Sequence, residues 1–319
     1  MPRKAKLIEI PAIAPLDRQA GSLSRQLSQA LRAAVRQGKL QAGDALPSTR
    51  ALAAALRLSR GTVSVAYDQL IAEGIDVDAG RMMAPDARAA FVTPSHQYPL
   101  GMPMSMAQRT ALLGWAQAHN AWIVEDDYDS EMRYDGHPFP ALQGQDPARV
   151  IYLGTFSKVL FPSLRLYAIV PPALVGAFCG ARILMDRHPP NADQYVLAQF
   201  MAEGHLARHL RRMRSLYAEK RRVVIDAVSR HIAAGLAELQ PCDQGMHMVL
   251  WLRRGLDDRH IERLAQEAGV SVRALSPMYA AGHGRSGLIL GLGGYGDRQV
   301  EQAVITLNQL LQTAQNLRR

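Results

Sequence analysis

From residue 88 onward, short apolar runs alternate with segments of helical periodicity. The apolar runs span residues 90–93, 122–124, 150–153 and 167–170, and the clearest helical segment spans residues 105–119. Apolar strands that alternate with helices are typical of a parallel sheet whose faces are covered by helices. The pattern therefore predicts an α/β fold with a mostly parallel sheet, in which ligands bind at the carboxyl ends of the strands.

Polar side chains follow two of these predicted strands at the point where each strand ends. Asp126 and Tyr128 come directly after the second strand, while Thr155 and Lys158 come after the third, with Arg165 seven residues beyond Lys158. Because the carboxyl ends of parallel strands meet at one edge of a sheet, we expect these side chains to converge there.

Such a set of side chains suits pyridoxal 5'-phosphate (PLP). A lysine amine can bind the cofactor aldehyde covalently. A carboxylate keeps the pyridine nitrogen protonated, which makes the ring an electron sink. A phenol can hydrogen-bond the ring hydroxyl, and a hydroxyl with an arginine can hold the phosphate. These residue types therefore suit a PLP site, in which a lysine would be the catalytic residue.

Three stretches of the chain resemble fold-type I PLP enzymes and the aminotransferase-like half of MocR regulators. They span residues 93–101, 125–131 and 154–165. The resemblance implies that Lys158 carries PLP, that Asp126 faces the pyridine nitrogen and that Tyr128 faces the 3-hydroxyl. The remaining residues that it implies are Thr155 and Arg165 at the phosphate, and Gln97 and His96 near the ring.

The first 75 residues have a different pattern, which predicts three short helices. Residues 22–37 form an amphipathic helix that ends at Gly38, a second helix begins after Ser48, and Ser59 caps a third. A helix, a tight turn and a further helix are the helix-turn-helix layout. The same segment holds eleven Lys/Arg and five Asp/Glu, so it carries 11 − 5 = +6 of the net +9. This charge favours a polyanion partner.

The segment from Leu46 to Leu70 resembles the winged helix-turn-helix of the GntR family. That resemblance implies double-stranded operator DNA as the partner, with the third helix in the major groove. We expect Arg60 to pair with a guanine edge, because arginine does so bidentately. The candidate DNA-binding residues are Arg50, Ser59, Arg60, Thr62, Val63 and Ser64.

We therefore expect a winged-helix-like GntR-type DNA-binding domain over residues 1–76. Residues 77–319 are expected to form a partial aminotransferase-like PLP-binding domain, with a small C-terminal α+β subdomain over about 215–319. Between Gly74 and Phe91 the chain has only sixteen residues. Related proteins place there a wing, a linker and the first part of the PLP domain, so we predict an internal deletion and an incomplete fold-type I domain.

Three functions remain open at this stage. The first is a transcription regulator with a PLP-binding effector domain that senses an amine or amino acid. The second is an aminotransferase; against it, residues 288–291 lack the arginine with which aminotransferases bind a substrate carboxylate. The third is a DNA-binding remnant that cannot hold PLP. In each case we expect a cytoplasmic protein with neither a metal nor a membrane segment, because the two cysteines are far apart and no apolar run is long enough to cross a membrane. The resemblance to both families implies a homodimer.

Overall fold

The computed structural model divides the chain into two compact units, Met1–Gly74 and Ile75–Arg319. The sequence prediction set this boundary between residues 76 and 77. The structure describes residues 16–18, 22–36, 47, 49–63, 66, 75–134, 139–188, 191–233, 235–240, 242–279 and 285–316. Among these residues, no helix is both long and apolar enough to cross a membrane.

The first unit is a small helical domain with its own core. Helix α1 spans Leu23–Arg36, α2 spans Thr49–Leu56, and residues 60–63 are helical. Apolar side chains at helical spacing on α1 meet those of α2 and of the third helical segment, because each helix buries one apolar face. The buried members of this core are Leu27, Leu31, Ala34, Leu52, Ala53, Val63 and Ala66.

The second unit is built on a four-stranded sheet in the order β1-β2-β3-β4. The strands are β1 Ala89–Val92, β2 Trp122–Asp127, β3 Val150–Thr155 and β4 Leu166–Ile169. The first three strands run parallel, and β4 pairs with β3 in the antiparallel direction. The prediction of an α/β fold with a mostly parallel sheet is confirmed.

One face of this sheet is covered by helices α3 Val77–Met83, α4 Met106–Ala118 and α5 Leu142–Gln145. Ser105 caps α4 by accepting a hydrogen bond from the Gln108 backbone N–H. Gln108 in turn accepts one from the Val77 N–H at 3.1 Å, and Val77 packs into the same core as Ile123. Residues 75–77 therefore belong structurally to the second unit.

A buried arginine and a buried glutamate hold the loops around this sheet. Arg109 on α4 is 0% exposed and donates to the carbonyl oxygens of Met104, Pro94 and Pro140 at 3.1, 2.9 and 2.7 Å. Glu125 on β2 is also fully buried and accepts from two backbone N–H groups at the start of α5. Because buried charges must be paired or hydrogen-bonded, these contacts fix the loops that follow β1 and precede α5.

After β4 the chain forms three helices, α6 Val175–Asp186, α7 Asn191–Ala202 and α8 His205–His231.

Several apolar side chains of the second unit face solvent. Large exposed apolar residues lie on α6 and α7 and on the outer strands β1 and β4; they include Phe91, Ile169, Ile183, Leu184, Met185, Tyr195 and Val196. Exposed apolar patches and open sheet edges are places where another surface packs.

A second sheet, in the order β5-β6-β8-β7, forms the C-terminal part of this unit. Its strands are β5 Ala237–Leu239, β6 His247–Leu252, β7 Arg273–Ala274 and β8 Gly287–Gly291, all antiparallel. The end of α8 and the helices α9 Asp258–Glu267 and α10 Asp297–Asn316 contribute to the surrounding core. The sequence analysis expects a small C-terminal α+β subdomain over about 215–319, and this sheet and its helices lie within residues 205–316.

Candidate functional site

A cavity of about 1370 Å³ opens at the carboxyl ends of the parallel strands. Gln97, Asp126, Tyr128 and Lys158 line it, together with residues of the small sheet and of α9. Four of the seven residues predicted to hold PLP therefore line one cavity. The sheet topology explains this, since β1, β2 and β3 are parallel neighbours whose polar continuations leave the same edge.

Asp126 and Lys158 face the cavity without local partners. Among the described residues, neither side chain forms a hydrogen bond or an ion pair. Burial raises the pKa of Asp126, and the neighbouring carboxylates of Asp127 and Asp129 raise it further. A cationic group in the cavity would reverse that effect, because an opposite charge favours the ionised carboxylate.

Gln97 supplies a buried polar atom with no partner. Its Oε1 is buried and accepts no hydrogen bond from the part of the chain that the structure describes. A buried amide oxygen left unpaired costs free energy on the order of 1–3 kcal/mol. Since Gln97 lines the cavity, a ligand donor there would recover that hydrogen bond.

Thr155 and Arg165 lie beside each other but are not among the residues that line the cavity. The Thr155 hydroxyl donates to the Arg165 carbonyl oxygen at 3.1 Å and accepts from the Ser157 N–H at 3.1 Å. Arg165 has a left-handed φ of 54°, which turns the chain into β4. The backbone thus already uses the Thr155 hydroxyl, which the sequence resemblance assigns to phosphate.

His96 lies behind Tyr128 and is 2% exposed, so it does not line the cavity. Its Nδ1 lies 2.9 Å from each Asp129 carboxylate oxygen and 3.0 Å from the Tyr128 hydroxyl. Burial by itself lowers the pKa of His96, but hydrogen bonds to Asp129 and Cys242 outweigh it and raise the pKa to about 9. The geometry therefore places the His96 ring between Asp129 and the Tyr128 hydroxyl, behind the cavity lining.

Two glycines make room for this imidazole. A Cβ on Gly245 would overlap the His96 ring, and one on Gly101 would lie 3.0 Å from His96 Nε2. Both glycines have positive φ, 82° and 71°. The sequence therefore needs glycine at both positions for steric and for backbone reasons.

The stability of the protein should depend on pH through this histidine. Its folded pKa, about 9, exceeds the ordinary value of 6.5, so its contribution is complete below pH 6.5 and is lost as the pH rises through 9. The loss amounts to about 3 kcal/mol. The groups facing it are Asp129, Tyr128, Cys242 and His247. Urea unfolding between pH 6 and pH 9.5 would measure the slope.

The control for this pH dependence is His96→Gln, which removes the titrating group. Burial raises the pKa of Glu131 from 4.5 to about 7. The stability of both proteins should therefore also fall as the pH rises from 4.5 to 7, below the range in which His96 titrates. The account is wrong if His96→Gln and the wild type lose stability equally between pH 7 and pH 9.

His247 completes a group with His96 and Asp129 whose possible metal-ligand atoms lie within 4.8 Å of one another. In this structure these atoms are engaged in hydrogen bonds, His96 with Asp129 and His247 Nε2 with the Pro99 carbonyl oxygen at 2.9 Å. The cluster therefore acts here as a hydrogen-bonded support. Sequence reasoning missed His247 because its partners lie about 150 residues earlier in the chain.

The candidate DNA-binding residues surround the start of the third helical segment. The Ser59 hydroxyl accepts from the Thr62 N–H at 3.0 Å and lies 2.8 Å from the Thr62 hydroxyl, which confirms Ser59 as the predicted N-cap. Arg60 is exposed in the first turn. Val63 is 0% exposed and packs in the core of the first unit, so its side chain does not face solvent. The Arg50 side chain and Ser64 lie outside the described residues.

Comparison with known proteins identifies both halves. The model of the family described as bacterial regulatory proteins, gntR family, matches residues 23–76. The probable rhizopine catabolism regulatory protein MocR of Rhizobium meliloti is 44% identical over 225 residues, covering 70% of this chain and 45% of its own. The pyridoxine biosynthesis regulator PdxR of Corynebacterium glutamicum is 36% identical over 216 residues, covering 67% and 47%.

The α-aminoadipate aminotransferase LysN of Thermus thermophilus has a similar structure. The TM-score is 0.69 at 28% identity, over 77% of this chain and 64% of that one. The second unit is thus a fold-type I aminotransferase-like domain. Residues 23–76, which match the gntR family model, precede this domain in the chain, and the chain is similar to the MocR and PdxR regulators over about two thirds of its own length. It spans about half the length of the curated relatives that it matches.

Proposed function

We propose that this protein is a DNA-binding transcription regulator whose aminotransferase-like domain binds PLP and responds to an amine or amino acid. The observation that carries the proposal is the convergence of Lys158, Asp126, Tyr128 and Gln97 on one cavity, in a chain with a gntR-family head. The names of the related MocR and PdxR proteins describe regulators, which supports the same function.

The residues of the cavity fit the ring end of PLP. Asp126 would face the pyridine nitrogen, Tyr128 the ring hydroxyl, and the unpaired Gln97 Oε1 would accept a donor, while Lys158 would hold the aldehyde carbon. When bound, the cofactor supplies an electrophilic carbon and an electron sink. Lys158 would supply the nucleophilic amine, and the contacts of His96 with Asp129 and Tyr128 would orient the Tyr128 hydroxyl. The resemblance assigns the phosphate to Thr155 and Arg165, which lie beside each other but are not among the residues that line the cavity.

We also propose that the second unit, Ile75–Arg319, derives from a longer domain by an internal deletion. The packing of Ile75 and Val77 into the sheet core, directly after the head, supports this, as do the exposed apolar residues of the outer strands. The same exposed residues favour the second candidate, a remnant that binds DNA but not PLP. They also favour a homodimer that covers α6 and α7.

The three candidate functions differ in what the purified full chain does. A regulator binds DNA in a salt-dependent manner and develops a visible absorbance band with PLP. An aminotransferase also consumes an amino donor in the presence of a keto acid. A remnant binds DNA and stays colourless at saturating PLP.

Arg60→Ala should weaken binding to an operator selected from random DNA by the full chain. We expect a loss of about 1–3 kcal/mol at the selected sequence, because a bidentate arginine–guanine contact carries that much discrimination. Fluorescence anisotropy at several salt concentrations would measure it. The matched control is Arg263→Ala, an exposed arginine paired with Glu267 on α9. Equal loss on selected and random DNA would contradict base recognition by Arg60.

A further inference from the structure

An arginine that the sequence analysis did not identify, Arg273, lines the cavity. Arg273 begins β7 and pairs in register with Ile289 of β8, and both residues line the cavity that contains Lys158. Strand β8 itself carries no arginine, so the arginine expected there for a carboxylate is absent. The neighbouring strand places a guanidinium on the same wall.

The Arg273 guanidinium has capacity left for an anion. Its Nη1 lies 3.3 Å from the Tyr98 hydroxyl. Among the described residues it forms no ion pair within 4.0 Å, although Glu262 lies on the same side of the cavity. Arginine has five N–H donors in a planar fork that matches a carboxylate. One phenol therefore leaves most of these donors available.

Tyr98 connects this arginine to the ring end of the site. The Tyr98 and Tyr128 rings meet edge to face with their centroids 6.2 Å apart. Arg273 thus lies one aromatic side chain away from the residue that would bond the cofactor hydroxyl. Lys158 and Arg273 line the same cavity, so a ligand whose amine binds at Lys158 shares that cavity with the Arg273 guanidinium.

The other nearby arginine does not serve this role. The Arg285 guanidinium lies over the Trp251 ring, 4.6 Å from its centroid, and Arg285 is not among the residues that line the cavity. A cation–π contact of this kind stabilises the small sheet. Arg285 is therefore a matched control, since it has the same charge and lies in the same subdomain.

We propose that Arg273 binds the carboxylate of the effector, so that the cavity selects amino acids over plain amines. This inference rests on the proposed PLP site for the amine end of the ligand, whereas the carboxylate contact itself involves only this chain and the ligand.

The test compares L-alanine with ethylamine on PLP-loaded full-length protein, following the cofactor absorbance. Arg273→Gln should weaken the apparent affinity for L-alanine about 10- to 100-fold, as expected for a lost charge-assisted hydrogen-bond pair. Ethylamine affinity should not change, and Arg285→Gln should leave both affinities unchanged. Unchanged L-alanine affinity in Arg273→Gln, or an equal loss for both ligands, would overturn the proposal.

A second measurement separates this proposal from the cofactor proposal. Without PLP, propionate should raise the thermal unfolding temperature of the wild type and of Arg285→Gln, but not of Arg273→Gln, relative to propionamide at equal ionic strength. If this holds in a protein that never develops a PLP band, the cofactor proposal fails while the Arg273 site stands. If propionate and propionamide act alike on the wild type, the Arg273 site is wrong.

Discussion

Lys158→Ala should abolish the visible absorbance that PLP produces with the wild-type protein. Lys158 lines the cavity on the turn after β3, and its amine has no partner among the described residues. Only a lysine amine can bond the aldehyde covalently at this position, so the variant should retain at most weak, reversible binding. Dialysis of PLP-treated protein followed by an absorbance spectrum would measure the loss.

The control for this experiment is Lys220→Ala. Lys220 lies on α8, where its Nζ donates to the Tyr295 carbonyl oxygen. It is the other lysine among the described residues, and the whole chain has five. We expect it to keep the full band. If the band survived in Lys158→Ala and disappeared in Lys220→Ala, the assignment of the cofactor to Lys158 would be wrong.

Arg109→Met should lower the free energy of unfolding of the second unit by about 3–5 kcal/mol, the usual cost of removing one partner from a buried charge network. The substitution keeps an unbranched chain but removes donors to three carbonyl oxygens, and it leaves the buried Glu125 without a nearby cation. Urea unfolding followed by circular dichroism would measure the free energy of unfolding.

The exposed Arg254 offers the comparison, since Arg254→Met removes the same charge from the surface. Its effect should stay within about 0.5 kcal/mol. Equal effects of the two substitutions would mean that the Arg109 hydrogen bonds contribute nothing to folding.

Local patterns predicted much of this architecture. The four apolar runs correspond to β1–β4, and the Ser59 cap follows from residue type alone. These features depend on neighbours in the chain, which a sequence displays directly. The convergence of Asp126 and Lys158 also follows, because parallel topology determines where strands end.

Other features depend on contacts between distant segments. The resemblance assigns Val63 to DNA because it lies in the first turn of the third helical segment, yet helix packing buries its side chain. His96 turns away from the cavity because Asp129 and the small subdomain enclose it, and only glycine at position 245 permits this. Arg273 lies in a two-residue strand, and its side chain contacts Tyr98, which is 175 residues away in the sequence. No local period encodes such contacts.

The most direct test of the cofactor site is chemical mapping of the bound group. Full-length protein would be incubated with PLP, reduced with borohydride, digested and analysed by mass spectrometry. We predict one pyridoxyl adduct per chain, on the peptide that contains Lys158. An adduct spread over the other four lysines, or no adduct at saturating PLP, would contradict the assignment of this cavity as a cofactor site.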